Sequence, residues 1–179
     1  NGVIDIFVHD LDTIVTVRVN VSSEGVPASG THSHVPAISA DGRYVAFESI
    51  ANNLVEGDAG LRDIFLHDRD ADENGVYDET DAGAIETIRA NVHSDGTAAT
   101  GGASFAPAVS DDAEDVVFES EANNLVDDDT SGRDIFVRVT TPSVSEDEGP
   151  VNGSGASGGC FIDVMDNESK KWLEILSGL

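Results

Sequence analysis

Residues Asp68 to Asp81 read DRDADENGVYDETD and place seven carboxylates in fourteen positions. From Asp70 the pattern is D-x-D-x-N-G-x-x-D-x-x-D. Counted from Asp70 as position 1, Asp72 falls at 3, Asn74 at 5, Val76 at 7, Asp78 at 9 and Asp81 at 12. That is the donor spacing of a twelve-residue Ca²⁺ loop. A hard cation wants six to eight oxygens at about 2.3–2.6 Å. Side chains at positions 1, 3 and 5 converge as such a chain curls, Gly75 permits the turn, and the Val76 carbonyl adds a backbone oxygen. Position 12 is ordinarily a bidentate Glu. Here Asp81 is shorter, and Glu79 competes for the last place. The alternative is a solvated Asn-Gly turn.

Two further acidic loops, EGDAGLRD and DDDTSGRD, offer Asp58, Asp63, Asp127, Asp129 and Asp134 as weaker metal candidates. Asp and Asn at such places also fix turns through their own backbone. Arg62 and Arg133 stand beside them as expected ion-pair partners. His32 and His34 have ligand-like spacing, but the matching positions further along are Ala103 and Phe105, which favours a packed ring at His34. His9-Asp10 and His67-Asp68 recur as strand-end pairs. There is no Lys-bearing phosphate loop. No catalytic constellation emerges, and the expectation is a protein that is not an enzyme.

The elements that carry these loops repeat. PAISADGRYVAFES from Pro36 matches PAVSDDAEDVVFES from Pro107 at an offset of 71, and ANNLV recurs at Ala51 and Ala122. IDIFVHD from Ile4 matches RDIFLHD from Arg62 at an offset of 58. The 13-residue difference is the acidic insertion. Each repeat holds four short β-branched and aromatic runs bounded by Gly, Asp and Asn. We label them a (HVPAIS, FAPAVS), b (YVAFES, DVVFES), c (RDIFLHD) and d (ETIRANV). Val45 and Phe47 alternate with Tyr44 and Ala46, so both faces of strand b are apolar. The expected fold is all-β, four-stranded antiparallel sheets stacked face to face, with a short C-terminal helix.

The acidic insertion resembles EF-hand and dockerin loops, without their flanking helices. The repeat, with Ser-x-Asp-Gly, an aromatic strand and Asp-Ile-Phe-x-x-Asp, resembles the TolB-like or WD40-like (PD40) β-propeller repeat of bacterial envelope and secreted proteins. Asp112-Ala113 departs from the Asp-Gly of that motif. The resemblance implies about two blades of an incomplete ring. Residues 1–33 carry strands c and d of a first blade, and 34–93 a full blade with the insertion near 69–83. Residues 104–140 carry strands a, b and c of a further blade. It implies a binding or scaffolding platform, completed by further blades or other copies of the chain.

Residues 141–159 are Ser, Gly and acids, and read as a linker. Residues 160–179 form a tail in which Asp166 or Asn167 caps a short helix, and Cys160 begins a Gly-Gly-Cys-Phe-Ile run. That run partly resembles the Cys-Phe-Ile box of some exported bacterial proteins, which implies Cys160 as a modified residue. The chain opens in mid-strand, so a fragment or a processed product is expected.

A formal charge of −26 over 179 residues makes nucleic acid a poor partner and cations good ones. One cysteine excludes an internal disulfide, and no apolar run is long enough to span a membrane. Together these lead to an extracytoplasmic, secreted or cell-surface, calcium-stabilised structural or binding module with protein or glycan ligands, self-assembling by strand addition. The alternatives are an accessory propeller of a secreted hydrolase and a Ca²⁺-dependent, glycan-binding lectin.

Overall fold

The computed structural model describes residues 2–111, 113–129, 132–140 and 162–164. Among them there are strands and turns and no helix. Strands β1 (Phe7–His9) and β2 (Thr16–Arg18) form a two-stranded antiparallel pair. Strands β3 (Ser33–Ile38), β4 (Tyr44–Ser49), β5 (Asp63–Asp68) and β6 (Glu86–Arg89) form a four-stranded sheet in that order. Strands β7 (Ser104–Val109), β8 (Asp115–Ser120) and β9 (Asp134–Val139) repeat the arrangement one unit on. Every pairing is antiparallel, as connections this short require.

The fourth strand of the last sheet is β10 (Ile162–Val164), which pairs with β9 with Val164 opposite Phe136. It comes from the tail, where no strand was expected. The helix expected after it, the linker and Cys160 lie outside the described residues.

Period-2 alternation places the core. In β4, Val45 and Phe47 pack with Ile6 and Val19 of the first pair, while Ala46 points the other way, toward Val116 and Phe118 of the last sheet. In β5, Phe65 faces the first pair, and Ile64 and Leu66 face the last sheet. The central strands β4 and β5 are therefore buried on both faces, which is why they read as near-continuous apolar runs. Phe47 stacks on Phe65, and Phe118 on Phe136, each with centroids 5.8 Å apart.

The ANNLV recurrence has a physical basis. Ala51, Leu54, Ala122 and Leu125 are buried. The second Asn pins the connection from the preceding sheet. Asn53 accepts from Ser29 N–H and donates to the Pro27 carbonyl, and Asn124 does the same to Thr100 and Ala98. Strands β3 and β7 each break register just before a proline, with Val35 and Ala106 at φ 49° and 51°. A bulge is where a strand tolerates proline's missing N–H.

Candidate functional site

The insertion leaves β5 and returns to β6 through Asp70–Ile85. Arginine anchors it first. Arg43 forms a two-bond pair with Asp68, each bond 2.8 Å, and lies 3.5 Å from Glu73. The buried Arg69 pairs with Asp78, donates to the Gly42 carbonyl at 2.7 Å and lies 5.0 Å from the Tyr77 ring. The guanidinium thus ties the loop to the β3–β4 turn. Asp78, expected at position 9 of a cation loop, is committed to Arg69.

The remaining donors curl as the spacing predicts. Asp70 is buried, and its carboxylate accepts the Asn74 and Gly75 N–H groups at 3.0–3.2 Å. These are positions 5 and 6 folding back on position 1. The Asn74 amide lies between Asp72 Oδ2, at 2.9 Å, and Glu79 Oε2, at 2.7 Å, so Glu79 turns toward the loop interior. Val76 is exposed, and its N–H donates to Asn74 Oδ1. Gly75 adopts φ 83°, where a side chain would be strained. Asp70, Asp72, Glu79 and Asp81 have no basic partner within ion-pair distance among the described residues. In the same set, no three His, Cys, Asp or Glu side chains are gathered as metal ligands. The loop brings Asp70, Asp72, Asn74 and Glu79 into one hydrogen-bonded group, and the structure adds neither Asp78 nor Asp81 to it.

The arginines expected beside the other aspartates pair elsewhere. Arg62 pairs with Glu48 at 2.8 Å, and Arg133 with Glu119 and Glu121 at 3.2 and 2.7 Å, so neither neutralises the loop acids beside it. Their alternation along the strand aims them at β4 and β8 instead. Arg89 fills the place assigned to Arg62, lying 3.2 Å from Asp58 and 3.4 Å from Asp63. Burial raises the Asp63 pKa, helped by the Asp58 charge, while Asn91 and Arg89 oppose it. Asp58 also accepts the Gly60 N–H at 3.0 Å, the turn-fixing role. Asp127 is fully exposed, 3.8 Å from His93, and Asp134 begins β9 half-buried. The Asp129 side chain places Oδ2 in the interior. His32 and His34 lie 5.8 Å apart and tilted, and His32 Nδ1 accepts the Ile4 N–H.

Sequence reasoning missed the polar relay that joins successive sheets. Asn91 is wholly buried. It donates to Asp63 Oδ1 at 2.6 Å and to Ser104 Oγ at 3.0 Å, and it accepts the Ile64 N–H at 2.9 Å. Ser104 then bonds Ser120 at 2.9 Å. Asn20 repeats every contact one unit earlier, with Asp5, Ile6, Ser33 and Ser49. The signal was present, since RVN and RAN recur at the repeat offset. A buried relay with all partners satisfied fixes one mutual position of two sheets. A second tie differs between units. His67 bonds Thr87, whose hydroxyl donates to the Val21 carbonyl of the first pair. At the matching place, Arg138 donates to the Arg89 and Ala90 carbonyls.

A groove of about 540 Å³ runs between the first pair and the insertion, with Val17, Val21 and Ile85 on its floor and Glu24, Glu79 and Asp81 among its walls. No protein-family model, curated protein or solved structure matches the chain.

Proposed function

We propose that the chain is a β-propeller-type scaffold, a structural and binding module that works outside the cytoplasm with a Ca²⁺-stiffened insertion. The observation that carries it is the twice-built relay. Asp5–Asn20–Ser33–Ser49 and Asp63–Asn91–Ser104–Ser120 join successive sheets through the same bonds. Such a link favours a repeating stack of sheets. Its chemistry is spent on holding sheets together.

Calcium is favoured by what the arginines leave over. Arg43 and Arg69 neutralise Asp68 and Asp78. Asp70, Asp72 and Glu79 remain around Asn74. Those three carboxylates, the Asn74 amide oxygen and the Val76 carbonyl would hold the ion, which would offset their mutual repulsion. Extracellular Ca²⁺ modules work at about 10⁻⁴–10⁻³ M, which suits a loop with few rigid donors. The test is a calorimetric Ca²⁺ titration with thermal melts in Ca²⁺ and in chelator. The expected result is one site and a melting temperature several degrees higher in millimolar Ca²⁺, both lost in Asp72→Asn. Equal melting temperatures and no binding heat would remove calcium from the proposal.

A further inference from the structure

The groove beside the insertion combines two surfaces of opposite character. Its floor is apolar, with Val17 half-buried and Val21 and Ile85 buried beneath the opening. Its two sides are acidic, with Glu24 on the turn after β2 and Glu79 and Asp81 on the insertion. Among the described residues no basic side chain lies within ion-pair distance of these three carboxylates. Arg18 and Asp78 also line the groove, but their charges are directed elsewhere. Successive strand residues face opposite ways, so Val17 and Val19 face the second sheet, and the Arg18 guanidinium turns to Asp5, 3.4 Å away, and to the Phe7 ring. Asp78 is paired with Arg69.

A second cavity of about 350 Å³ adjoins the first. Ser23 and Glu24 line both, and the second adds Leu54, Val55 and Glu56, another acid with no described basic partner. The two make one track between units that the chain itself supplies. It lies on the side of the first pair that packs on the second sheet, and the insertion forms one wall.

An apolar floor under unpaired carboxylates is the complement of a long cationic side chain. The methylene stem of Arg or Lys lies along apolar surface while its head reaches outward to charge. A bare divalent cation instead wants its oxygens gathered at about 2.3–2.6 Å, which acids on opposite walls do not offer. Each cavity falls within the roughly 300–1,000 Å³ of ordinary ligand pockets, so the track has room for several side chains.

We infer that this track binds an extended, arginine-rich peptide segment of a partner protein, with guanidinium heads at Glu24, Glu56, Glu79 and Asp81 and their stems over Val17, Val21 and Ile85. Arg suits the acids better than Lys because its planar fork takes a carboxylate by two bonds. The inference rests on the binding part of the proposed function and gives it a place. It does not need calcium, since Glu24, Glu56 and Asp81 stand outside the hydrogen-bonded group of the loop.

Amide NMR of the full chain, in chelator and about 0.1 M salt, titrated with acetyl-Arg-Val-Arg-Val-Arg-amide, tests this. Expected are saturable shifts confined to residues 17–25, 54–56 and 78–85. They should vanish when citrulline replaces each Arg of the peptide, which keeps the stem and removes the charge. Glu24→Gln and Asp81→Asn should each weaken binding about threefold, and together about tenfold, the size of partly exposed ion pairs. Asp127→Asn removes the same charge from a fully exposed site in the β8–β9 loop, and should change nothing. Equal weakening by Asp127→Asn, or shifts scattered over every acidic loop, would show diffuse charge attraction and overturn the inference. Groove resonances displaced by Lys170→Gln with Lys171→Gln would put the chain's own tail in the track, and would overturn a separate partner. Peptide binding in chelator without any Ca²⁺ binding heat would remove calcium alone, and Ca²⁺ heat without peptide binding would remove the groove alone. Fast hydrogen exchange at the buried Ile64 amide would overturn the stacked-sheet reading and the groove with it.

Discussion

His67 sits 1% exposed in β5, between the insertion and the first strand pair. Its bonding fixes its protonation. The Thr87 hydroxyl donates its one proton to the Val21 carbonyl at 2.6 Å, so it must accept from His67, and Nδ1 at 2.8 Å is the donor. The neutral ring therefore carries its proton on Nδ1. A second proton would have to enter at Nε2 as a buried charge. Burial lowers the pKa from 6.5 to about 4, with the Arg69 charge acting the same way and Asp78 and Asp68 opposing.

The folded state thus resists a proton that the unfolded chain accepts near 6.5. Stability from this group is complete above pH 6.5 and falls as the pH drops from 6.5 through 4. A gap of that size is worth about 3 kcal/mol. The carboxylates also titrate toward the lower end, so the measurement is a difference. Urea unfolding of wild type and His67→Gln is compared from pH 7.5 to 4 in moderate salt. The wild type should lose about 3 kcal/mol more than the variant across the window, at no more than about 1.4 kcal/mol per pH unit. The His67 ring resonances should titrate below pH 5. Parallel stability curves, or a ring that titrates near 6.5, would refute the neutral buried imidazole and the relay to Val21.

The other predictions concern the ties between sheets and the loop. Asn91→Ala leaves Asp63, Ser104 and the Ile64 N–H without their partner, and should cost about 3 kcal/mol in urea unfolding, with Asn20→Ala close behind. Gly102→Ala should cost about 3 kcal/mol or prevent folding, because its Cβ would meet the Glu121 carbonyl oxygen at 2.1 Å. Gly30→Ala, in open space at φ 75°, should cost only about 1 kcal/mol by the same assay. Arg69→Met strands Asp78 in a buried site, and should cost about 3 kcal/mol and open residues 70–83 to limited proteolysis.

The sheets were legible because strand period and turn residues repeat. VAFES and VVFES recur at one offset, and the structure gives the two copies the same register, Ala46 opposite Leu66 and Val117 opposite Val137. The curl of Asp70 through Gly75 was legible for the same reason, since short-range Asx bonding is set by spacing. What spacing could not show is which charges meet across strands. Arg62 lies beside Asp63 in sequence, yet successive side chains point to opposite faces, so its partner is Glu48. Arg89 reaches Asp58 and Asp63 from a strand more than twenty residues away. Strand β10 was missed because its alternation, Ile162-Asp163-Val164, spans only three residues.

A single tripeptide accounts for the direction of the stack. In Asp-Ile-Phe, adjacent side chains must face opposite ways, so one apolar residue is given to each neighbouring sheet. In the first two triplets the Asp then accepts from the Asn that reaches into the next sheet, at Asp5 from Asn20 and at Asp63 from Asn91. The Asn lies at the end of strand d and its Ser partner at the start of strand a, so the link runs one way only. The polarity of the stack is therefore set by strand c together with that Asn–Ser link.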